Sequence, residues 1–255
     1  MKRKRQVTTC TRNWLDLPKD VMLAIFMKLT AYEILFTAQR VCSSWRKLAK
    51  EPQLFRSIAI RHLWRCFRSN NGALRFTKEL VDRSCRQLTD FSYDGDKSEM
   101  ILRYVAHRTN MLKSLQINCC RFISDGALIK AAGSFPLLEE LVLIKYSFSR
   151  ETIKKLGRCC PKLKCLTLAF NQKESRDVAF AIAESMPQLR RLSLTDNYLE
   201  NDGLEAILEG CPYLEYLDLR YSRWIVDPKL LNKCVDRIRD VWLPNGHKGI
   251  RCNLS

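Results

Sequence analysis

The side chains that could carry out catalysis or bind a metal are few and scattered in this chain. The three histidines are far apart and have no cysteine or carboxylate partner at the spacing of a local motif: His62, His107 and His247. None of the twelve cysteines forms a Cys-x-x-Cys pair, and no glycine-rich phosphate loop is present. Metal binding requires paired ligands at short spacing, and the nearest case is Cys160 with Cys165. The sequence therefore predicts a non-enzymatic protein without a metal or cofactor.

The cysteines are better explained by packing. The chain starts "MKRKRQVTTC", which is basic but has no apolar stretch behind it, so we expect no secretory signal. No apolar run approaches the ~20 residues of a membrane span, so we expect none. A reducing compartment would keep the thiols free, and a free cysteine packs as a small hydrophobic residue. We expect Cys160 to be buried and Cys165 to lie on an exposed strand. The run Lys2–Arg5 fits a nuclear import signal or a solvated tail, which predicts the nucleus, the cytoplasm or both.

The net charge of +17 points to acidic partners. Residues 1–60 hold twelve Lys or Arg against four Asp or Glu, so almost half of the excess lies in less than a quarter of the chain. A basic chain attracts nucleic acids or acidic proteins. Charge alone leaves both classes of partner open.

A repeat organises the second half of the chain. Prolines recur every 25 or 26 residues, and each begins a P-x-L-x-x-L-x-L pattern: Pro136, Pro161, Pro187 and Pro212. The segment "NMLKSLQIN" is one further copy, and Leu88 with Phe91 belongs to a degraded one. An L-x-L pair directs two side chains to the same face of a strand, and a helical half follows each strand. The period resembles that of cysteine-containing leucine-rich repeats, which form a solenoid with parallel strands on its concave face and helices on its convex face.

The residues between the leucines are predicted to face outward on the concave side. An apolar centre flanked by charge suits recognition of a protein, so this face is the predicted substrate-binding surface. Its candidate residues are Glu140, Val142, Ile144, Thr167, Phe170, Arg191, Ser193, Tyr216, Asp218 and Arg220.

The first sixty residues predict three short helices. Pro18 suits the first turn of a helix that runs to about Leu29, with Val21 and Ile25 on one face. Thr30 and Glu33 have the spacing of a capping box, which would start a second helix. The apolar spacing predicts that this helix continues through Val41 and Trp45 to Leu48, and Pro52 would begin a third. So small a unit carries more apolar side chains than it can hide, which indicates an interface.

The segment "LDLPKDVMLAIFMKLTAYEILFTAQRVCSSWRKLAKEPQLFRSI" resembles an F-box. The stretch "EILFTAQRVCSSWRKL" is similar to the plant F-box/leucine-rich-repeat proteins of the SKIP type, and the resemblance covers roughly residues 13–243. Two departures stand out: Phe55 occupies a position where the family usually has tryptophan, and the connection "FNQKESRDVA" is short.

The resemblance implies the substrate-recognition subunit of an SCF ubiquitin ligase. Its F-box would dock on an acidic Skp-type adaptor, and through it on a cullin–RING ligase, while the repeats capture an unknown protein for ubiquitination and degradation. Five residues would belong to the packed body of the F-box or its edge: Val41, Cys42, Trp45, Leu54 and Phe55. Val41 and Trp45 could equally serve its internal core. The adaptor-binding residues implied are Leu17, Pro18, Val21, Ile25, Leu29, Trp45, Leu54 and Phe55.

The expected fold class is α/β, with a three-helix F-box followed by a short leucine-rich-repeat solenoid. The predicted segments are a basic tail (1–12), the F-box (13–60), a helical linker with a break at Asn70–Gly72 (61–85), the repeats (86–243) and a tail (244–255). Two alternatives stay open, a basic nucleic-acid-binding protein and a small-molecule-sensing repeat protein. The first is weakened by the scarcity of Lys and Arg on the outward strand positions.

Overall fold

The computed structural model describes residues 14, 17–60, 70–145, 148–169, 175–195, 198–222, 225, 227–246 and 248. The predicted basic tail, His62, His247 and Phe170 lie outside these residues. The chain divides into two compact units, Met1–Leu54 and Phe55–Ser255.

The first unit contains three short helices, α1 (Lys19–Phe26), α2 (Ala31–Phe36) and α3 (Ser43–Leu48), with a 3₁₀ turn at Ala38–Arg40. A second 3₁₀ turn, Pro52–Phe55, begins where the third predicted helix was placed. Pro18 is the N-cap of α1. The predicted capping box is confirmed, because Thr30 Oγ1 accepts from the Glu33 amide and Glu33 accepts from the Thr30 amide.

Two helix predictions in this unit are wrong. The helix α1 ends at Phe26 and not at Leu29. The predicted single second helix is divided into α2, the 3₁₀ turn and α3. The break before α3 is at Cys42, whose backbone is extended and whose Sγ accepts from the Trp45 amide at 3.5 Å. An extended residue with a capping side chain starts a new helix even though the apolar spacing continues across it.

The second unit is built on one eight-stranded parallel sheet in which each strand pairs with the next along the chain. This order is what stacked strand–helix repeats produce. The strands are β1 (Ser57–Ile60), β2 (Asp90–Tyr93), β3 (Ser114–Ile117), β4 (Glu140–Ile144), β5 (Cys165–Ala169), β6 (Arg191–Thr195), β7 (Tyr216–Asp218) and β8 (Asp240–Trp242). The helices between them are α4 (Asn70–Arg83), α5 (Ser98–Arg108), α6 (Asp125–Ala132), α7 (Arg150–Cys159), α8 (Ser175–Ser185), α9 (Asn201–Gly210) and α10 (Pro228–Arg237).

The repeat pattern extends further than the sequence analysis predicted. Phe55-x-x-Ile58-x-Ile60 places the same spacing on β1, and Ile238-x-x-Val241-x-Leu243 places it on β8. The degraded copy becomes β2, with Leu88 and Phe91 buried. Residues 70–72, where a helix break was predicted, are the first turn of α4. The leucine-rich-repeat architecture is confirmed, with a strand added at each end.

Burial of the repeat leucines forms the core. The leucine and isoleucine positions of the five clear copies are at most 4% exposed. Burying each such side chain contributes roughly 1.5–3 kcal/mol. The residues before the repeat prolines are also completely buried, namely Phe135, Cys160, Met186 and Cys211. They close each helix against the core.

Acidic side chains join the start of one helix to the start of the next. Glu99 Oε2 in α5 accepts from the amide and hydroxyl of Ser124, the N-cap of α6, at 2.7 and 2.8 Å. In the next repeat, Asp125 Oδ2 accepts from the hydroxyls of Ser149 and Thr152 at 2.7 and 2.6 Å. The bonds from Ser124 lower the pKa of Glu99. Burial acts to raise the pKa of Asp125, but the bonds from Thr152 and Ser149 outweigh it and lower the pKa.

Five cysteines pack in the core as predicted: Cys119, Cys120, Cys160, Cys211 and Cys234. Burial raises the thiol pKa to about 12 for Cys120 and Cys160, and to about 11 for Cys211 and Cys234. A thiol with so high a pKa stays protonated and unreactive at neutral pH.

Close helix packing requires glycine at Gly210. A Cβ atom at this position would lie 2.4 Å from the carbonyl oxygen of Ala183, so α8 and α9 approach each other more closely than any side chain allows. At Gly126 in α6, by contrast, a Cβ atom would meet nothing within 4 Å.

Among the described residues, no single helix is both long and apolar enough to cross a membrane. The segments Lys19–Phe26 and Ala31–Arg40 reach that length and composition only as a pair, with a bend of 118° between them.

Candidate functional site

Two surfaces carry the predicted site residues, one in each unit. In the first unit, several apolar side chains of α1 and its flanks are open to solvent. Leu17 is 37% exposed, Val21 40% and Val41 59%, and Pro18 is exposed as well. Val21 and Ile25 share a face of α1, while Ile25 and Leu29 are half-buried. We call Leu17, Pro18, Val21 and Val41 the exposed apolar set.

A shallow groove lies between the start of α1 and α3. It has a volume of about 180 Å³ and is lined by Trp14, Leu17, Lys19, Met22, Ser44, Trp45 and Leu48. The ring of Trp45 packs edge-on against Phe26, with ring centres 5.3 Å apart, and Trp14 lies edge-on to Trp45 at 6.5 Å. Lys19 at the rim pairs with Glu51 at 2.6 Å. The groove combines an aromatic wall with an exposed leucine, which is suited to receive an apolar side chain from a partner.

For three residues that the F-box resemblance implied, the structure distinguishes a packed position from an exposed one. Leu54 and Phe55 are buried, so in this structure neither side chain is accessible to a docking partner. Phe55 belongs to the second unit, where it occupies the first leucine position of the β1 repeat, and the guanidinium of Arg83 lies 5.9 Å from its ring centre. Val41 faces solvent and is not a core residue.

Sequence reasoning also missed accessible apolar residues near the predicted set. Trp14, Met27 and Tyr32 are exposed. Met27 follows Ile25 by two residues, so helical spacing places it away from the apolar face of α1, and that spacing was the available signal. The face of Tyr32 could not be assigned before the second predicted helix was known to be divided.

In the second unit, strand register arranges the outward residues in two rows. The first row runs Asp90, Ser114, Glu140, Cys165, Arg191, Tyr216 and Asp240. The second row runs Ser92, Gln116, Val142, Thr167, Ser193, Asp218 and Trp242. We call this surface the open sheet face. Glu140, Val142, Thr167, Arg191, Ser193 and Tyr216 are thus brought together as predicted, and Ile144 lies one step beyond Val142 on the same strand.

Asp218 differs from its prediction as a binding residue. Its side chain is only 3% exposed, because both carboxylate oxygens are used by Arg220, Oδ1 by Nε at 2.9 Å and Oδ2 by Nη2 at 2.7 Å. The hydroxyl of Ser193 also lies 3.5 Å from Oδ2. Asp218 therefore positions Arg220, whose side chain stays 39% exposed. The hydrogen bond with Asp218 raises the pKa of Arg220, so this guanidinium stays charged.

Aromatic rings support both arginines of this face. The guanidinium of Arg191 lies 4.5 Å from the ring centre of Tyr216, and that of Arg220 lies 5.0 Å from the ring centre of Trp242. Such stacking restricts a long side chain and is worth about 0.5–1 kcal/mol at an exposed site. Burial raises the pKa of Tyr216. Trp242 was missed because β8 was not predicted; the Ile-x-x-Val-x-Leu spacing around it was the available signal.

Among the described residues of the two surfaces, no His, Cys, Asp or Glu side chains are grouped in a way that would form a metal site. The same holds for the whole described part of the chain, where no group of three or more such side chains could hold a metal ion. His107 is exposed near the end of α5. Cys165 is half-buried in the first row, on a different element from the buried Cys160.

Both units contain segments that match known protein families. Residues 14–61 match the F-box-like family, and residues 75–183 match the leucine-rich repeats of an FBD-associated F-box protein. Residues 185–208 match the leucine-rich-repeat family.

Several proteins of Arabidopsis thaliana are similar over most of this chain. The F-box protein SKIP19 is 39% identical, over 91% of this chain and 78% of its own length. F-box/LRR-repeat protein 22 is 39% identical, over 91% of this chain and 77% of its own. F-box/LRR-repeat protein 23 is 39% identical over 92% of this chain, which spans only about half (54%) of that relative.

Two solved structures match this chain at lower sequence identity. The complex of Rad7 and Elc1 from yeast matches with a TM-score of 0.47 and 16% identity, over 86% of this chain and 66% of that one. The leucine-rich-repeat-containing protein LegL7 from Legionella pneumophila matches with a TM-score of 0.46 and 18% identity, over 68% of this chain and 61% of that one.

Proposed function

Because the chain belongs to the plant F-box/leucine-rich-repeat family, we propose that it is the substrate-recognition subunit of an SCF ubiquitin ligase. In this proposal the first unit docks on a Skp-type adaptor, and the open sheet face captures a protein that is then ubiquitinated. The chain itself carries out no chemistry. It holds the substrate near a ligase that other subunits supply.

The observation that carries the proposal is the exposed apolar set, together with the aromatic groove that Leu17 lines. An unpartnered unit of this size gains stability by hiding Leu17, Val21 and Val41, which are 37–59% exposed here. Exposed apolar side chains with charged residues around them are typical of protein–protein interfaces. An acidic adaptor also complements this part of the chain, since residues 17–54 contain six Lys or Arg and three Asp or Glu.

The second unit supports the capture role by its construction. Its leucines are buried in the core, so the residues of the open sheet face can vary without loss of the fold. The two rows present an acidic end, an apolar and hydroxyl-rich centre around Val142 and Thr167, and a basic aromatic end around Arg191. A surface of mixed character over several strands suits a protein partner better than the uniform phosphate backbone of a nucleic acid.

The docking step is tested by capture of a purified Skp-type adaptor with the full-length chain. The variant Leu17→Ala/Pro18→Ala/Val41→Ala changes only exposed side chains, so it should fold and yet lose most adaptor binding. A matched control is Met100→Ala/Met111→Ala, which removes two exposed apolar side chains from the second unit. Equal capture by the wild type and the triple variant would refute the docking assignment.

The capture step is tested in plant cells with the proteasome inhibited. Affinity capture with the wild type should recover ligase subunits and ubiquitinated proteins together. The triple variant should keep the substrate candidates and lose the ligase subunits, because the two functions lie in different units. Recovery of neither class with the wild type would oppose the proposal.

A further inference from the structure

The outward charges of the open sheet face are distributed unevenly. On β2 and β4 the exposed ionisable side chains are acidic, Asp90 and Glu140. On β6 the exposed ionisable side chain is Arg191, and the half-buried Arg220 lies just beyond the end of β7; each guanidinium is stacked on an aromatic ring. We call Arg191, Tyr216, Arg220 and Trp242 the arginine–aromatic patch.

We propose that the arginine–aromatic patch binds an extended protein segment that carries two carboxylate side chains at alternate residues. This inference rests on the proposed function, since it assigns the chemistry of the substrate segment that the open sheet face captures. The aromatic rings hold the guanidinium groups in place before binding, so little side-chain entropy is lost when a carboxylate arrives.

The spacing of the two carboxylates follows from the strand register. Arg191 lies over Tyr216, which is in the first row, and Arg220 lies over Trp242, which is in the second row. Tyr216 and Trp242 are two residues apart along the strand direction, about 7 Å, and one strand apart across the sheet, about 4.8 Å, so their backbone positions are roughly 8 Å apart on a diagonal. In an extended segment, residues i and i+2 point to the same side about 7 Å apart, and flexible side chains can extend this to the separation of the two arginines. Glutamates or aspartates at alternate positions would therefore reach both guanidinium groups.

The local charge favours carboxylates over phosphates. The buried carboxylate of Asp218 already neutralises one of the two arginines. Asp240, at the end of the first row, is itself neutralised by Lys248 at 2.8 Å and Arg239 at 3.2 Å. The four cations Arg191, Arg220, Arg239 and Lys248 and the two carboxylates Asp218 and Asp240 leave two positive charges in excess, which two singly charged carboxylates match better than two phosphate dianions. A singly charged carboxylate binds an arginine in a bidentate manner with less repulsion.

The acidic end of the same face fixes where such a segment lies. Glu140 is exposed in the first row, two strands before Arg191, and would repel an acidic segment placed there. Electrostatic complementarity of this kind gives specificity of position more than affinity. The segment should therefore lie across β6, β7 and β8.

The test uses the full-length chain bound to its adaptor and fluorescent twelve-residue peptides. One peptide has two glutamates at alternate central positions among alanine and serine, and its partner has glutamines instead. A third carries two phosphoserines, and a short single-stranded RNA serves as a competitor. We expect the glutamate peptide to bind at least tenfold more tightly than the glutamine peptide, and more tightly than the phosphoserine peptide.

Two variants and one control locate the site. Arg191→Gln and Trp242→Ala should each reduce binding of the glutamate peptide about five- to tenfold. Arg190→Gln removes a neighbouring arginine that pairs with Glu215 at the beginning of β6, and should leave peptide binding unchanged. All three should capture the adaptor as the wild type does, because the changes lie in the second unit.

The outcomes separate this inference from the proposed function. If the adaptor is captured but the glutamate and glutamine peptides bind equally, the role proposed for the arginine–aromatic patch is wrong, while the proposed ligase role is unaffected. Tighter binding of the phosphoserine peptide, or equal loss of binding in Arg190→Gln, would also overturn it. Displacement of the peptide by RNA at equal concentration would also overturn it, because the patch would then bind anions in general. Failure to capture the adaptor would refute the proposed function whatever the peptides do.

Discussion

The two units of this chain differ in how completely they hide their apolar side chains. Of the large apolar residues exposed in the described chain, six lie in the 54-residue first unit: Trp14, Leu17, Val21, Met27, Tyr32 and Val41. The 201-residue second unit also has six, of which three are tyrosines with a polar tip. Stacked repeats bury one another's apolar side chains, whereas a short helical unit leaves part of its apolar surface for another molecule to cover.

The largest contrast should appear in the cost of removing an apolar side chain. Leu192→Ala in β6 leaves a cavity in a completely buried position, and we expect it to lower the free energy of unfolding by about 2–5 kcal/mol. Val21→Ala in α1 removes a side chain that is 40% exposed and should cost less than about 1 kcal/mol. Chemical denaturation followed by circular dichroism measures both. Similar losses in the free energy of unfolding of the two variants would contradict the contrast between the units.

The packing of helices in the second unit gives the next largest effect. Gly210→Ala places a methyl group against the Ala183 carbonyl, and we expect a loss of about 1–3 kcal/mol in unfolding free energy. The matched change Gly126→Ala has open space around it and should be neutral or stabilise by up to about 1 kcal/mol through helix propensity. Thermal unfolding of the two variants is the measurement. A stable Gly210→Ala protein would contradict the close approach of α8 and α9.

Adaptor affinity should respond in the opposite way to stability. Val41→Ala alters an exposed residue of the first unit, so its unfolding free energy should change by less than about 0.5 kcal/mol. Its affinity for the Skp-type adaptor should fall by about 1–2 kcal/mol if Val41 lies in the docking surface. Titration calorimetry against the adaptor, with Leu192→Ala as a control at a temperature where that variant stays folded, separates the two effects. A stable Val41→Ala protein with unchanged adaptor affinity would remove Val41 from the docking surface.

The smallest effect is a loss of stability at high pH that comes from the second unit. The folded pKa of Cys211 is raised to about 11, above the ordinary value of 9.0. Its contribution is therefore complete below pH 9 and is lost as pH rises from 9 towards 11, because only the unfolded thiol ionises in that range. Between pH 8 and pH 10 the loss for this thiol is at most about 1.4 kcal/mol.

Denaturation at pH 8 and pH 10 checks this expectation. Cys211→Ala should lose part of the difference between the two pH values, at some cost in stability at both. The control Cys85→Ser changes an exposed cysteine and should keep the whole difference. An identical pH dependence in Cys211→Ala and the wild type would show that this thiol does not contribute.

Periodic and local features of the sequence predicted most of the fold. The leucine spacing repeats often enough to fix the register of five strands, and the capping box of Thr30 and Glu33 depends only on residues three apart. The strands β1 and β8 escaped prediction because Phe55, Ile58 and Ile60, or Ile238 and Val241, stand where the clear copies have leucine. These positions keep apolar side chains but do not keep leucine itself.

The sites were harder to predict than the fold. The outward rows follow from the strand period, so Glu140, Val142 and Arg191 could be assigned to one face. The sequence could not reveal that Asp218 is occupied by Arg220, because that depends on burial and on the conformation of a long side chain. Similarly, the exposure of Val41 depends on the interruption at Cys42, a weak sulfur cap inside an unbroken apolar period.

The bonds from Ser124 to Glu99 and from Ser149 and Thr152 to Asp125 have a consequence for dynamics. Each carboxylate belongs to the opening turn of one helix and holds the opening turn of the next. Fraying at the amino end of α6 therefore exposes the amides of Ser124 and Ala127 only when the hydrogen bonds from Ser124 to Glu99 are broken as well. Amide hydrogen exchange at these starts should be correlated between repeats, so that protection is a property of the stack and not of individual helices.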